Sequence, residues 1–223
     1  TFPNEHLKVL LDRGTLDYTR LPQELLERVG FVAPVDFEEI DKEGIKKELA
    51  GLIYPLYFFD YETYSTGIPP FDGTKPYQQI PFQYSLHIQN ELGGDITHKE
   101  FLAREFVNPM EELIWQLKKD IGSKGSVVVW NASFETLRNK EMAEIFPEEA
   151  EFLLDINSRM FDLMLLFKFD RKIYIHSEFH KSASLKKVLP VLCPELAYTD
   201  LEIREGGTAS ASWPKGPGSE GAQ

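Results

Sequence analysis

The segment YPLYFFDYETY, residues 54–64, carries the strongest structural signal in the sequence. Its first six residues are almost all apolar or aromatic, which is typical of a strand that is buried on both faces of a sheet. Two acids, Asp60 and Glu62, follow directly. Because alternate residues of a strand project to the same face, we expect both carboxylates to lie side by side at the end of this strand.

Strand and helix signals alternate along the rest of the chain. Alternating or valine-rich runs predict further strands at 82–89, 97–103 and 125–131. Helical spacing predicts helices at 110–121, 133–146, 148–167 and 182–192, the first capped by Asn108 with Pro109 and the last ending near Pro190. That order of elements predicts an α/β fold, a mixed β-sheet with flanking helices. The strand at 56–60 should be central, antiparallel to 82–89 and parallel to 125–130.

Residues 1–50 have a different sequence pattern from the rest of the chain. They show short amphipathic patterns at 21–31 and 38–52, interrupted by Pro and Gly. We interpret them as a helical lead-in or inter-domain connector, and residues 51–223 as the main domain. The tail 206–223 is rich in Gly, Ser, Ala and Pro, which predicts loop or disorder. Because the chain begins with Thr rather than Met, we expect it to be a piece of a longer protein.

A second group of polar residues follows the valine-rich strand, in VVVWNASFE at 127–135. Asn131 could cap the next helix, and Glu135 could favour that helix's positive end. Asp60 and Glu62 could likewise be solvated acids at a strand end. Alternatively, the two strands bring three carboxylates to one point of the sheet. A divalent cation such as Mg²⁺ or Mn²⁺ would then bind there, because it prefers oxygen ligands and relieves their repulsion.

FDYET and NASFE resemble the first two motifs, D-x-E and N-x-x-F-D, of the DEDD (DnaQ-like) 3′–5′ exonucleases of the RNase H-like superfamily. More closely, residues 54–213 resemble an uncharacterised bacterial family, domain of unknown function 2779. The strings that carry this resemblance are YPLYFFDYETYSTGIPPFDGTKPYQQIPFQYSLH, NASFE, SASLKKVLP and GGTASASW. That family is grouped with predicted RecB-like nucleases. The resemblance implies an RNase H-like fold and a RecB-like nuclease region in the same full-length chain.

The resemblance also implies a reaction, the metal-dependent 3′–5′ hydrolysis of phosphodiester bonds in DNA or RNA. Asp60, Glu62 and Glu135 would hold two Mg²⁺ or Mn²⁺ ions, although relatives carry Asp where Glu135 stands. The last motif of the superfamily, His or Tyr followed by Asp, is not found after Glu135. We therefore expect the fourth ligand and the general base beyond Gln223, and this chain alone to be slow or inactive. Asp162 is a secondary catalytic candidate, which helix capping explains equally well.

The segment 168–187 is basic, with six Lys or Arg against two acids. Grooves that bind single strands combine positive charge with aromatic stacking, and Tyr174 and Phe179 interleave with these charges. A solvated basic surface is the alternative. His176 and His180 would form a metal pair only on a helix. The candidate nucleic-acid contacts are Lys172, Lys181, Lys186 and Lys187, with Tyr64 and Asn131 beside the acids.

The composition limits the possible functions. A net charge of −12 excludes a passive polyanion binder, because affinity for nucleic acid depends largely on Lys and Arg. The single cysteine, Cys193, excludes an internal disulfide and a Cys-cluster zinc site, which fits a cytoplasmic location. No apolar run is long enough for a membrane helix. Two competing hypotheses are a non-catalytic module that presents single-stranded DNA or RNA to a separate nuclease domain, and an interaction domain with no nucleic-acid role.

Overall fold

The computed structural model describes residues 4–12, 16, 21–31, 37–196 and 213. The chain divides into two compact units: Thr1–Gly51 with Met164–Asp200, and Leu52–Leu163 with Leu201–Gln223. The described strands are β1 (Glu38–Ile40), β2 (Leu56–Tyr64), β3 (Ile80–Gln89), β4 (Ile96–Leu102), β5 (Ser126–Val129), β6 (Met160–Asp162) and β7 (Tyr174–His176). The described α-helices are α1 (Asn4–Asp12), α2 (Gln23–Arg28), α3 (Lys42–Leu49), α4 (Met110–Asp120), α5 (Ala132–Ile145), α6 (Ala150–Ser158) and α7 (Leu185–Leu192).

The second unit contains a five-stranded mixed sheet in the order β4-β3-β2-β5-β6. β2 is the central strand. It runs antiparallel to β3, pairing Leu56 with Gln89, and parallel to β5, pairing Leu56 with Ser126. β4 is antiparallel to β3, and β6 is parallel to β5. The predicted α/β class, the central position of the first strand and both pairing directions are confirmed.

One face of the sheet carries the hydrophobic core. Odd-numbered residues of β2 are buried, whereas Asp60 is exposed and Glu62 is half-buried on the other face. The core joins Tyr57, Phe59 and Tyr61 to residues of α4, α5 and α6, which cover this face. The four residues of β5 are all buried, as its valine content predicts. The alternation along β2 thus places aromatic rings in the core and acids on the open face.

The helices predicted at 110–121 and 148–167 have opposite outcomes. The predicted helix at 110–121 is confirmed, and the Asn108 side-chain oxygen accepts a hydrogen bond from the Met110 amide at 3.2 Å. The single helix predicted at 148–167 is wrong. The chain instead forms α6, then the short strand β6, then a 3₁₀-helix at Leu163–Phe167. The run FDLMLLF has helical spacing, but pairing with β5 outweighs that local preference.

The first unit contains a two-stranded antiparallel sheet of β1 and β7. The helix predicted at 38–52 is wrong at its start, because Glu38–Ile40 pairs with Tyr174–His176 before α3 begins. A small core of Leu11, Leu26 and Val29 lies between the first two helices and their flanking residues. The predicted last helix at 182–192 is present as α7, which begins three residues later than predicted and ends at Leu192, two residues past Pro190. Within the ranges that the structure describes, every helix is too short or too polar to span a bilayer.

Candidate functional site

The acids of the central strand lie where the parallel part of the sheet ends. β2 pairs with β5 only through Leu56–Phe58, so Asp60 follows two residues after the last pair. β5 ends at Val129, which pairs with Asp162 at the end of β6. The carboxyl ends of all three strands therefore meet at one edge of the sheet, where α5 begins. Ligands of open α/β sheets commonly bind outside such strand ends.

Glu135 is the most buried of the predicted site residues. It lies in the first turn of α5 and is only 2% exposed. Its Oε2 atom is buried and has no hydrogen-bond partner among the residues that the structure describes. A backbone hydrogen bond and the Arg138 charge favour the ionised form of Glu135, but burial and the charges of Asp60 and Asp162 outweigh them, so the carboxyl group either takes up a proton or pairs with a further cation. This oxygen is the strongest local sign of an additional ligand.

The acids perturb one another's protonation. Burial, followed by the nearby charges of Asp60 and Asp162, raises the pKa of Glu135 from the ordinary 4.5 to about 8. Loss of hydration raises the pKa of Asp60, and burial together with the Asp60 charge raises the pKa of Glu62. Asp60 is exposed, so solvent screens its charge more strongly than that of the buried Glu135. The metal-free cluster is therefore only partly ionised at neutral pH.

Asn131 has a different local role from the one predicted. It adopts the left-handed conformation, with φ at 76°, and its side chain does not cap α5. Its side-chain oxygen instead accepts a hydrogen bond from the Ser133 hydroxyl at 2.7 Å. Its backbone amide donates to the Asp162 carboxylate at 3.0 Å. Side-chain capping of α5 is therefore the wrong explanation for Asn131. Asn tolerates this conformation better than most residues, and Asp162 fixes the turn from β6.

The fit of a divalent cation is mixed. Carboxylate oxygens are suitable donors, and the unpartnered Glu135 oxygen together with the mutual charge repulsion favours a cation. However, the described part of the chain holds no group of three or more His, Cys, Asp or Glu side chains arranged to bind a metal. The charges of Asp60, Glu62, Glu135 and Asp162 influence one another, but these acids do not form a preformed set of three ligands within the described ranges. Binding would have to draw these side chains together.

Tyr64, the predicted substrate contact beside the acids, belongs to an aromatic cluster. Its ring meets those of Phe106 and Trp213 edge to face, each at 5.6 Å between centroids. Trp213 stacks on Phe82 at 4.9 Å and donates from Nε1 to the Ala103 carbonyl at 2.8 Å. Phe106 is 42% exposed. The cluster therefore presents an aromatic surface two residues past Glu62 along the same strand.

The predicted basic residues belong to the first unit, whereas the acids belong to the second. Lys172, Lys186 and Lys187 are exposed, and Lys181 donates to the Asp12 carbonyl at 2.6 Å. The aromatic residues of this segment do not form an open stacking surface. Phe179 is 2% exposed, and the Tyr174 hydroxyl donates to Glu38 at 2.7 Å. His176 and His180 flank a 3₁₀-turn rather than lying on an α-helix, so the helical spacing required for a metal pair is not met.

Sequence reasoning missed a buried polar network beneath the acids. The Tyr61 hydroxyl donates to Asn139 Oδ1 at 2.9 Å, and Asn139 Nδ2 donates to Asn157 Oδ1 at 2.8 Å. A signal was present, because Asn139 follows Glu135 by four residues and therefore shares its face of the helix. Tyr61 itself lies between the two acids of β2. Nothing in the sequence identified Asn157 as their partner.

With the geometry established, the family can be assigned. The model of a domain of unknown function, DUF2779, matches residues 57–184, which is more than half of the chain. The chain belongs to the DUF2779 family. The match covers the five-stranded sheet except for Leu56, and it includes both acids of β2 and the turn at Asn131. The membership expected from the sequence is confirmed, over a shorter range than the expected 54–213. The family match does not indicate which activity the domain has, because the family description names none.

Two curated relatives of this DUF2779 chain are described only as uncharacterised proteins. The protein MG366 of Mycoplasma genitalium is 28% identical, over 68% of this chain and 25% of its own length. The protein UU173 of Ureaplasma parvum is 30% identical, over 67% of this chain and 24% of its own length. The chain thus spans about a quarter of the length of these relatives. No solved structure matches it significantly.

Proposed function

We propose that the sheet-bearing unit is a metal-dependent nuclease domain of the DEDD type, which hydrolyses phosphodiester bonds of DNA or RNA from the 3′ end. The observation that carries the proposal is the buried, unpartnered oxygen of Glu135 beside the Asp60 and Asp162 charges. The acid-bearing strand β2 is central in the sheet, antiparallel to β3 and parallel to β5. This arrangement supports the RNase H-like part of the proposal.

Asp60, Glu62 and Glu135 would hold the cations, with Asp162 as a further acid at the same edge. When bound, a pair of Mg²⁺ or Mn²⁺ ions supplies an activated water and stabilises the leaving 3′ oxygen. Glu135 must lose its proton to take part, since a ligand carboxylate binds in its ionised form. Asn131 and Asp162 hold the turn that orients the first turn of α5. The fourth ligand and the general base would come from residues beyond Gln223.

The substrate contacts form the less constrained part of the proposal. Tyr64 and Phe106 offer an aromatic surface beside the acids on which the bases of a single strand could stack. Lys172, Lys186 and Lys187 are exposed cations that could contact phosphates. In a full-length protein of the size of the relatives, a RecB-like nuclease region in the same chain would be the neighbouring partner.

A non-catalytic nucleic-acid-binding module is the second candidate function. One specific observation favours it: the described residues include no preformed group of three metal ligands. On this hypothesis the acids at the strand ends are retained without turnover. The two functions make different predictions for the Asp60→Ala variant, which should abolish turnover in a nuclease and leave a binding module unaffected.

The test measures Mn²⁺ binding by calorimetry and the cleavage of 3′-labelled single-stranded DNA and RNA. It compares this chain, a version extended past Gln223, and both with Asp60→Ala. Asp95→Ala is the matched control, because Asp95 is an exposed acid in the turn between β3 and β4. We expect Mn²⁺ binding that only Asp60→Ala weakens, and turnover by the extended version. An extended protein that binds both substrates and cleaves neither would support the binding module. Absence of binding and cleavage would refute the nucleic-acid proposals altogether.

A further inference from the structure

A buried polar network links β2, which carries Asp60 and Glu62, to α5, which carries Glu135. Tyr61 lies between Asp60 and Glu62 in β2, is 3% exposed, and faces the opposite side of the sheet. Its hydroxyl donates to Asn139 Oδ1 at 2.9 Å. Asn139 is fully buried and lies on α5 one turn after Glu135. A single buried hydrogen bond therefore links the two elements that carry the acids.

The network continues into the next helix and closes on α5. Asn139 Nδ2 donates to Asn157 Oδ1 on α6 at 2.8 Å. Asn157 Nδ2 donates to the carbonyl of Thr136 at 3.2 Å, and Thr136 is the neighbour of Glu135. Each asparagine thus accepts one bond and donates another. Buried polar groups are costly unless they are satisfied, so this chain of bonds favours one arrangement of β2, α5 and α6.

Both apolar and polar contacts hold α5 in place. Its buried residues are Glu135, Arg138, Asn139 and Met142, and its apolar residues Ala132, Phe134, Ala143 and Ile145 pack against the hydrophobic core. Apolar packing is non-directional, whereas a hydrogen bond restricts both distance and angle. The bonds of Asn139 therefore add a directional restraint on a shift of α5 along its axis. Such a shift would also move Glu135 relative to Asp60.

We propose that Tyr61, Asn139 and Asn157 are positioning residues, which form a buried brace that fixes the Glu135 carboxylate relative to Asp60 and Glu62. The role of the brace in cation binding rests on the proposed function. As positioning residues, the three would act without themselves binding substrate or cation. The brace acts by setting the distance between ligands from two different elements. Supporting groups of this kind are typically worth 10- to 100-fold in metal affinity.

Tyr84 provides a matched control for Tyr61. The two residues are directly paired between β2 and β3, and both are buried on the core face. The Tyr84 hydroxyl also donates to a side chain, but its acceptor is Asp120 Oδ2 at 2.6 Å, in the last turn of α4. Tyr84→Phe therefore removes a buried hydroxyl and its hydrogen bond without touching the brace.

The experiment compares Tyr61→Phe with Tyr84→Phe in this chain, using two measurements. Hydrogen exchange of the metal-free protein should show faster exchange in α5 and α6 for Tyr61→Phe, and in α4 for Tyr84→Phe. The affinity for Mn²⁺ should fall about tenfold in Tyr61→Phe and stay unchanged in Tyr84→Phe. Asn157→Ala, which breaks the far end of the brace, is the second variant and should weaken Mn²⁺ binding in the same direction.

The outcomes separate the brace from the proposed function. Unchanged exchange in α5 of Tyr61→Phe would overturn the brace, whatever the protein binds. Equal losses of Mn²⁺ affinity in the Tyr61 and Tyr84 variants would also overturn it, because the effect would then be general destabilisation. If the wild-type chain shows no Mn²⁺ binding that depends on Asp60, the proposed function fails and the brace loses its positioning role. Faster exchange in α5 would then identify it as a purely structural link.

Discussion

Replacing Glu135 with Gln should remove a pH-dependent weakness from the metal-free protein. The pKa of Glu135 is raised from 4.5 to about 8, so folding disfavours its ionised form. A group whose pKa is raised on folding makes its full contribution to stability below the unfolded value, here 4.5. That contribution is lost as the pH rises through the folded value of about 8. The wild-type unit should therefore lose stability between these two values, and Glu135→Gln should not, because its side chain cannot ionise.

The expected magnitude follows from the two pKa values. Each pKa difference of one corresponds to about 1.4 kcal/mol of differential interaction. Integrated between about pH 5 and pH 8, the Glu135 contribution amounts to a loss of about 3 kcal/mol. This conversion is justified because Glu135 is 2% exposed and little screened by water. Asp60 and Glu62 have pKa values raised in the same direction, but they are present in both proteins and largely cancel in the comparison.

The chain offers a selective assay for the unit concerned. Its three tryptophans, Trp115, Trp130 and Trp213, all belong to the sheet-bearing unit. Urea unfolding followed by tryptophan fluorescence, with a chelator present, therefore reports the stability of that unit across the pH range. Glu144→Gln is the control, since Glu144 lies on the same helix but is exposed, in a 3.7 Å surface pair with Lys75. Parallel stability curves for wild type and Glu135→Gln would refute the reasoning.

Three further substitutions test how the sheet-bearing unit is held together. Gly125→Ala should destabilise it by more than about 2 kcal/mol in urea unfolding, because φ is +98° and a Cβ would collide with backbone. Trp213→Ala should cost about 3 kcal/mol or more in the same assay, since it removes the stack on Phe82 and the bond to Ala103. Asn131→Ala should cost about 1 kcal/mol while Asn131→Gly costs less, as judged by melting temperature, because only Gly accepts the left-handed conformation freely. Equal effects of Ala and Gly at position 131 would contradict that account.

The strands could be predicted where their pattern is unambiguous. YPLYFF and SVVV are apolar runs in strand-forming residues, and both became neighbours in the sheet. The short strand β6 could not be predicted, because Met160–Asp162 has no strand pattern of its own. It exists through its pairing with β5, which is a tertiary contact. The same is true of β1, whose partner β7 lies far along the chain.

The acids of the candidate site could be predicted from the sequence, whereas the residues that position them could not. Residue type and strand alternation identified Asp60 and Glu62, and the strand-to-helix junction identified Glu135. The helical interpretation of 148–167 concealed the fact that Asp162 ends a parallel strand beside Val129. The partners of Asn139 depend on the packing of α5 against α6 and β2, which no local pattern encodes. The residue types and their sequence pattern were thus enough to identify the acids, whereas the residues that position them became apparent only from the folded structure.

The supports matter because the acids repel one another. In the metal-free state the Glu135 carboxyl is held beside Asp60 and Asp162 although burial and both charges oppose its ionisation. The charge repulsion acts on the first turn of α5, and it would be reduced if this turn moved away from β2. Two devices counter that movement: the Asp162 bond to the Asn131 amide at the start of the helix, and the Tyr61 bond to Asn139 one turn further on. The Tyr61–Asn139 bond is buried, so moving the helix would leave its polar groups without partners, whereas the Asp162–Asn131 bond is exposed. The charge repulsion is therefore relieved by protonation of Glu135 rather than by displacement of the helix.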